Sequence, residues 1–272
     1  MNLRSAAGAL GLIITLATPV SSQTYPTATE PPRTTDRSVL RGIAVEREIH
    51  ERFLRGLAAE DRRAWKDAIA EFSHIVAYNP AEPKGSTAHY DLAIAQAQIG
   101  DYTAAATNFE EALKRDPGFT AAAANLVTVA IMAGDLTTAR SAADRFVRLA
   151  PASARARYSR GLVALRTGDL ATARADFLAL IASDPAYAIA HYDLAMVEMN
   201  AERFDSAVPE LERALQLSPG YARARFALAV IFARQGRRAD AVAAFSRAAQ
   251  DASDDTLRST AIDLRNRLQV PQ

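Results

Sequence analysis

Four prolines, Pro117, Pro151, Pro185 and Pro219, recur at intervals of 34 residues, and this spacing constrains the chain more than any other feature. Gly100, Gly134, Gly168 and Gly236 fall on the same 34-residue period, with Glu202 in the remaining place. The string His-Tyr-Asp-Leu-Ala occupies 89–93 and again 191–195, three periods away. Two kinds of marker and a repeated pentapeptide on one period signal a stack of supersecondary units, a solenoid.

The punctuation has a physical basis. In Gly100-Asp101, Gly134-Asp135 and Gly168-Asp169 the glycine can take the left-handed conformation that ends a helix. The aspartate can then accept from free backbone N–H groups and start the next helix. The proline closing each unit cannot continue a helix. Between these breaks apolar residues follow helical spacing, as in Leu92 and Ala93 before Gly100, then Tyr102, Ala105, Phe109 and Ala112 before Pro117. Ala105, Ala139, Ala173, Ala207 and Ala241 recur on the grid and let two helices approach closely, while Phe72, Phe109, Phe177, Leu211 and Phe245 supply bulk beside them.

These residues resemble the tetratricopeptide repeat family. The resemblance implies an all-α solenoid of helix–turn–helix repeats, a right-handed superhelix with a C-terminal capping helix. Six units follow, 49–82, 86–119, 120–153, 154–187, 188–221 and 222–255, with Pro83-Lys84-Gly85 inserted after the first. The large aromatic usual early in the family's first helix is replaced by Arg52, His89, Ala123, Arg157, His191 or Arg225. The fifth unit carries Glu202 in place of Gly and Pro209 near the start of its second helix, so it is expected to be the least regular. Asp36 to Ala59 can form one long helix entering the array. At the other end, 256–268 reads as a cap, with Leu257, Ala261, Leu264 and Leu268 on one face and Arg258, Asp263, Arg265 and Arg267 on the other. The solenoid is thus expected over 36–268.

Residues 1–22 read as an export signal: Arg4, an apolar run from Ala6 to Ala17, and small residues Val20-Ser21-Ser22 for cleavage. The run is shorter than the roughly 20 apolar residues of a comfortable span. An exported chain, periplasmic or secreted, is the expectation; an N-terminal membrane anchor is the other reading. Residues 23–35, rich in Thr and Pro, read as a flexible linker. Loss of the signal leaves 31 basic and 31 acidic side chains, so bulk attraction to nucleic acid or an anionic membrane is not expected.

The sequence holds no cysteine, which excludes disulfides, thiolate zinc sites and cysteine nucleophiles. His89 and His191 occupy equivalent places three repeats apart, too distant to share a metal, and read as packed helix residues. No H-E-x-x-H, phosphate loop or G-x-S-x-G elbow occurs. The expectation is therefore a non-enzyme without cofactor or metal.

The resemblance also implies a concave groove lined by the first helix of each unit. Spacing i, i+3, i+7, i+11 stays on one helix face. It selects Arg155, Tyr158, Leu162 and Arg166 in the fourth unit and Arg223, Phe226, Val230 and Arg234 in the sixth. The fifth gives Ile189, Tyr192, Met196 and Asn200 between them. Arginine can hold carboxylates in a fork and aromatics supply contact area, so this groove would suit a peptide with acidic and apolar residues. Against that, the chain has only three lysines, so arginine is its default surface cation, and aromatics here also serve packing. The family's carboxylate clamp is not visible: Asn125 is equivalent to Asp91 and Asp193, but no Lys accompanies it. The leading expectation is a scaffold binding a protein or peptide partner. An accessory module for cell-envelope polysaccharide or peptidoglycan machinery, and a hydrolase, are the rival readings.

Overall fold

A computed structural model describes residues 37–269; the export signal and linker read from the sequence lie outside the described residues. Among these residues there are thirteen α-helices and no strand. They fall into two compact units, one ending at Ala152 and the other beginning at Ser153.

The first unit comprises α1 (Arg37–Asp61), α2 (Trp65–Ala77), α3 (Lys84–Gln98), α4 (Tyr102–Arg115), α5 (Thr120–Ala133) and α6 (Leu136–Leu149). The second comprises α7 (Ala154–Thr167), α8 (Leu170–Ser183), α9 (Ala188–Asn200), α10 (Phe204–Leu217), α11 (Ala222–Arg234), α12 (Arg238–Asp251) and α13 (Asp255–Gln269). Within each unit every helix packs on its neighbours in sequence, the arrangement of stacked helical hairpins.

The breaks work as their chemistry dictates. Gly100, Gly134, Gly168 and Gly236 all have φ between 73° and 84°. After Gly134 the Asp135 N–H reaches back to the Ala130 carbonyl at 2.9 Å, satisfying one of the helix's free carbonyls. Asp101, Asp135 and Asp169 then cap α4, α6 and α8, accepting from Ala104, from Thr137 and Thr138, and from Thr172. Glu202 adopts φ 58° in the glycine's place and the closing bond still forms, Arg203 N–H to Glu198 carbonyl at 2.8 Å. A side chain in that region costs about 1–2 kcal/mol.

Pro209 does not make the fifth unit irregular. Helix α10 runs through it at 14 residues, the same length as α8 and α12. Pro209 is the sixth residue of α10, so only one intrahelical bond, to the Asp205 carbonyl, is forgone. The 83–85 insertion does not bulge out either: α3 starts at Lys84 and is lengthened to 15 residues.

The core is built on the grid. Ala105, Ala139, Ala173, Ala207 and Ala241 are fully buried, and Phe72, Phe109, Phe177, Leu211 and Phe245 are buried beside them. Each of the large side chains contributes about 1.5–3 kcal/mol by leaving water. Helices α3, α5 and α9 are buried around most of their circumference rather than along one stripe. Each lies between the helices before and after it, so its sides are covered whether apolar or polar. At the end of the chain Ala261 of α13 is buried against Phe245 and Ala248, with Leu264 and Leu268 half-buried there. Among the described residues no helix is long and apolar enough to cross a membrane.

Candidate peptide-binding surface

The aromatic on the first helix of a repeat, present in every unit but the third, has one or both of two duties. It packs on the large residue of its own second helix, Phe53 on Phe72 at 6.0 Å between ring centroids, Tyr90 on Phe109 at 5.5 Å, Tyr158 on Phe177 at 6.2 Å and Phe226 on Phe245 at 5.3 Å. It also meets the aromatic that stands at the N-cap of the next repeat's first helix, Tyr90 with Phe119 at 4.7 Å, Tyr158 with Tyr187 at 6.2 Å and Tyr192 with Tyr221 at 5.0 Å. Such offset and edge-on pairs fix adjacent repeats against each other.

This ladder decides what the sequence-selected residues can present. Tyr192 and Leu162 are buried, Tyr158, Met196, Arg223 and Phe226 are half-buried, and Arg155, Arg166 and Arg234 are exposed. Arg234 lies over the Phe204 ring at 5.4 Å, a cation–π contact. Ile189, exposed on α9, sits one and two turns before Tyr192 and Met196 on the same side of that helix. The aromatics are thus mainly wall and the arginines mainly rim.

At the centre of the second unit lies a group the sequence reading passed over. Asp193, on α9, is buried among Tyr158 of α7, Tyr187 and Tyr192 of α9 and its N-terminal turn, and Tyr221 and Arg223 at the start of α11. Tyr158 donates its phenolic hydrogen to the carboxylate. Oδ2 of Asp193 is buried without a hydrogen-bond partner. Burial pushes the Asp193 carboxyl up to about 7, against the opposing pull of the Tyr158 bond and the Arg223 charge. The four phenols are pushed up as well, first by burial and then by Asp193, so they stay neutral donors. Of the residues selected from sequence, Tyr158, Tyr192 and Arg223 are brought together here. Tyr187 and Tyr221 were missed, although each stands two residues after its repeat proline, on the grid with Phe119.

Three of the positions where the family's usual aromatic is replaced carry polar links between the two helices of a repeat. His89 Nδ1 lies 2.8 Å from Asn108 Oδ1, and His191 Nδ1 lies 2.6 Å from Glu210 Oε2. Arg52 pairs with Glu71 at 3.0 Å, and each of these three pairs spans 19 residues. Both histidines are therefore occupied in joining the two helices of a repeat.

Comparison with known proteins agrees with this architecture. Solved structures similar to the chain include MamA, at 25% identity and TM-score 0.54 over 59% of this chain and 94% of that one. They include YrrB, described as a TPR protein with an unusual peptide-binding site, at 17% identity and TM-score 0.53 over 71% and 97%. A tetratricopeptide repeat protein from Parabacteroides merdae ATCC 43184 matches at 15% identity and TM-score 0.55 over 87% of both chains. No curated protein sequence matches. The tetratricopeptide repeat family model matches residues 53–118, 124–188 and 192–256, which with the grid, the turn geometry and the stacked hairpins places the chain in the tetratricopeptide repeat family.

Proposed function

We propose that this chain is an exported protein–protein interaction scaffold and that the α7, α9 and α11 side of its second unit holds a peptide segment of its partner. The observation that carries the reading is Asp193, whose buried Oδ2 lacks a donor in the midst of four tyrosines. A buried polar atom left without a partner costs about 1–3 kcal/mol, and a ligand donor recovers that cost on binding. Arg223 already supplies a positive charge beside Asp193, so a neutral N–H of an extended peptide suits the vacancy better than a second cation. Tyrosine contributes contact area with little entropy loss, and the rim arginines Arg155, Arg166 and Arg234 favour acidic residues flanking the bound segment. Support for a peptide ligand also comes from YrrB, which shares the fold and carries a peptide-binding site. Support for export is the N-terminal charge-then-apolar pattern of residues 1–22.

Random peptides displayed and selected on the purified full chain test this directly. Selected sequences should be acidic and apolar, and should weaken about tenfold or more on Asp193→Leu and on the Arg155→Glu, Arg223→Glu double variant. Selected peptides that bind both variants as tightly as the parent would remove this face as the site.

A further inference from the structure

A second group of buried carboxyls lies in the first unit. Glu60 is in the last turn of α1 and Asp91 is in the middle of α3. Both are buried, at 6% and 2% exposure. Their sequence neighbours Ala59, Leu92, Ala88 and Ala95 belong to one apolar cluster, so the two carboxyls sit at the margin of that core. Glu60 Oε1, Glu60 Oε2 and Asp91 Oδ1 are all buried and none has a hydrogen-bond partner.

The charges that act on this pair are all negative. Asp61 acts on Glu60, and Glu60 acts on Asp91; no charged group of α2 or α4, the helices packed on α1 and α3, is among them. Burial, then the like charge, pushes Glu60 up to about 7 and Asp91 well above the ordinary carboxyl range. A proton alone does not satisfy the pair. A protonated carboxyl is a donor as well as an acceptor, and these oxygens have no partner in either role. Of the other buried acids, Asp176 is paired with Arg160 and Glu198 with Arg174 and Arg203, and Asp193 has at least the Tyr158 hydroxyl and the Arg223 charge.

We propose that Glu60 and Asp91 form a receptor for one arginine side chain of a partner protein, whose guanidinium spans the two carboxylates. A guanidinium is planar and carries five N–H donors. Two in parallel match the oxygens of Glu60 and a third can serve Asp91 Oδ1. It is also more weakly hydrated than an ammonium, which lowers the cost of entering a buried site. Glu60 is followed by the exposed turn Asp61, Arg62 and Arg63, so a side chain from outside would approach the pair from the end of α1. Binding displaces the protons that the carboxyls hold, so the site tightens as pH rises through the range where Glu60 titrates.

The probes are arginine amide, its neutral isostere citrulline amide, and lysine amide, titrated calorimetrically into the full chain at about pH 6 and about pH 8. Arginine amide should bind, roughly tenfold more tightly at the higher pH, and release protons as it does. Citrulline amide should not bind, and lysine amide should bind more weakly. The Glu60→Gln, Asp91→Asn double variant should abolish the arginine response while keeping the parent's circular dichroism; should the double variant fail to fold, Glu60→Gln alone takes its place. Equal responses to arginine and citrulline amides in the parent chain, or an arginine response that survives the substitutions, would overturn the proposal. Failure of the peptide face on α9 leaves this result untouched, because the two sites share no residue.

Discussion

Arg160 holds Asp176 in a fork, with Nε 2.8 Å from Oδ2 and Nη2 2.7 Å from Oδ1. The pair ties α7 to α8, and the Asp176 side chain is almost wholly buried under it. Removing one partner of such a pair is worse than removing both, since the survivor is left charged and dry. Arg160→Met should therefore cost about 3 kcal/mol in urea unfolding, while Arg160→Met with Asp176→Leu should recover most of that loss. Single and double variants with the same midpoint would show that the fork contributes nothing.

Two glycines on one helix should answer the same substitution in opposite directions. A Cβ on Gly42 of α1 would meet nothing within 4 Å, whereas one on Gly56 would lie 2.6 Å from the Phe72 ring. Alanine in place of glycine favours helix by about 1 kcal/mol. Gly42→Ala should hold or raise the melting temperature. Gly56→Ala should lower it, because overpacking a core aromatic costs about 1–3 kcal/mol and exceeds the helical gain. The readout is a pair of thermal unfolding curves, and a Gly56→Ala chain as stable as the parent would show that Phe72 moves freely.

The raised Asp193 carboxyl makes stability depend on pH. The folded chain keeps its proton up to about pH 7, while an unfolded aspartate releases it near pH 4. Between those values the folded state binds more protons, so stability falls as pH rises and levels off above about 7. Asp193→Asn removes this titration and leaves an acceptor for the Tyr158 hydroxyl. The variant should match the parent at about pH 4 and exceed it at about pH 8 by roughly a few kcal/mol. Glu60 contributes in the same direction in both chains, so the difference between the two curves isolates Asp193. Parallel curves would mean that Asp193 is already ionised at neutral pH.

Residues whose role is set by local backbone chemistry were readable in advance. Gly134 and Asp135 are turn and cap in the sequence and in the fold, because both duties depend only on neighbours in the chain. Ala105 and Phe109 were readable for a related reason: close approach and bulk recur with the repeat. The surface was not readable in the same way. The spacing that selects Arg155, Tyr158 and Leu162 gives one side of a helix, but whether that side faces solvent depends on the next repeat. Tyr187 closes over Tyr158, and Tyr221 over Tyr192, which turns an aromatic floor into packing. Asp193 was seen only as the equivalent of Asn125; its isolation becomes apparent once four tyrosines from three helical segments converge on it.

The last helix should behave as a removable lid on the final repeat. Ala261 is fully buried against the cluster of Ala241, Phe245 and Ala248, and α13 is tethered by Arg238 of α12, which donates to the Leu268 carbonyl. Ala261→Arg places a charge where no water reaches, and the helix must swing away to solvate it. In a stack whose members touch only their neighbours, that loss is felt most by the adjacent repeat. Amide exchange in α12 should accelerate strongly, while α7 and α8 should keep their protection and overall helicity should fall only by about the length of α13. Uniform loss of protection across the second unit would instead mean that this unit unfolds as one cooperative body, with no separable end.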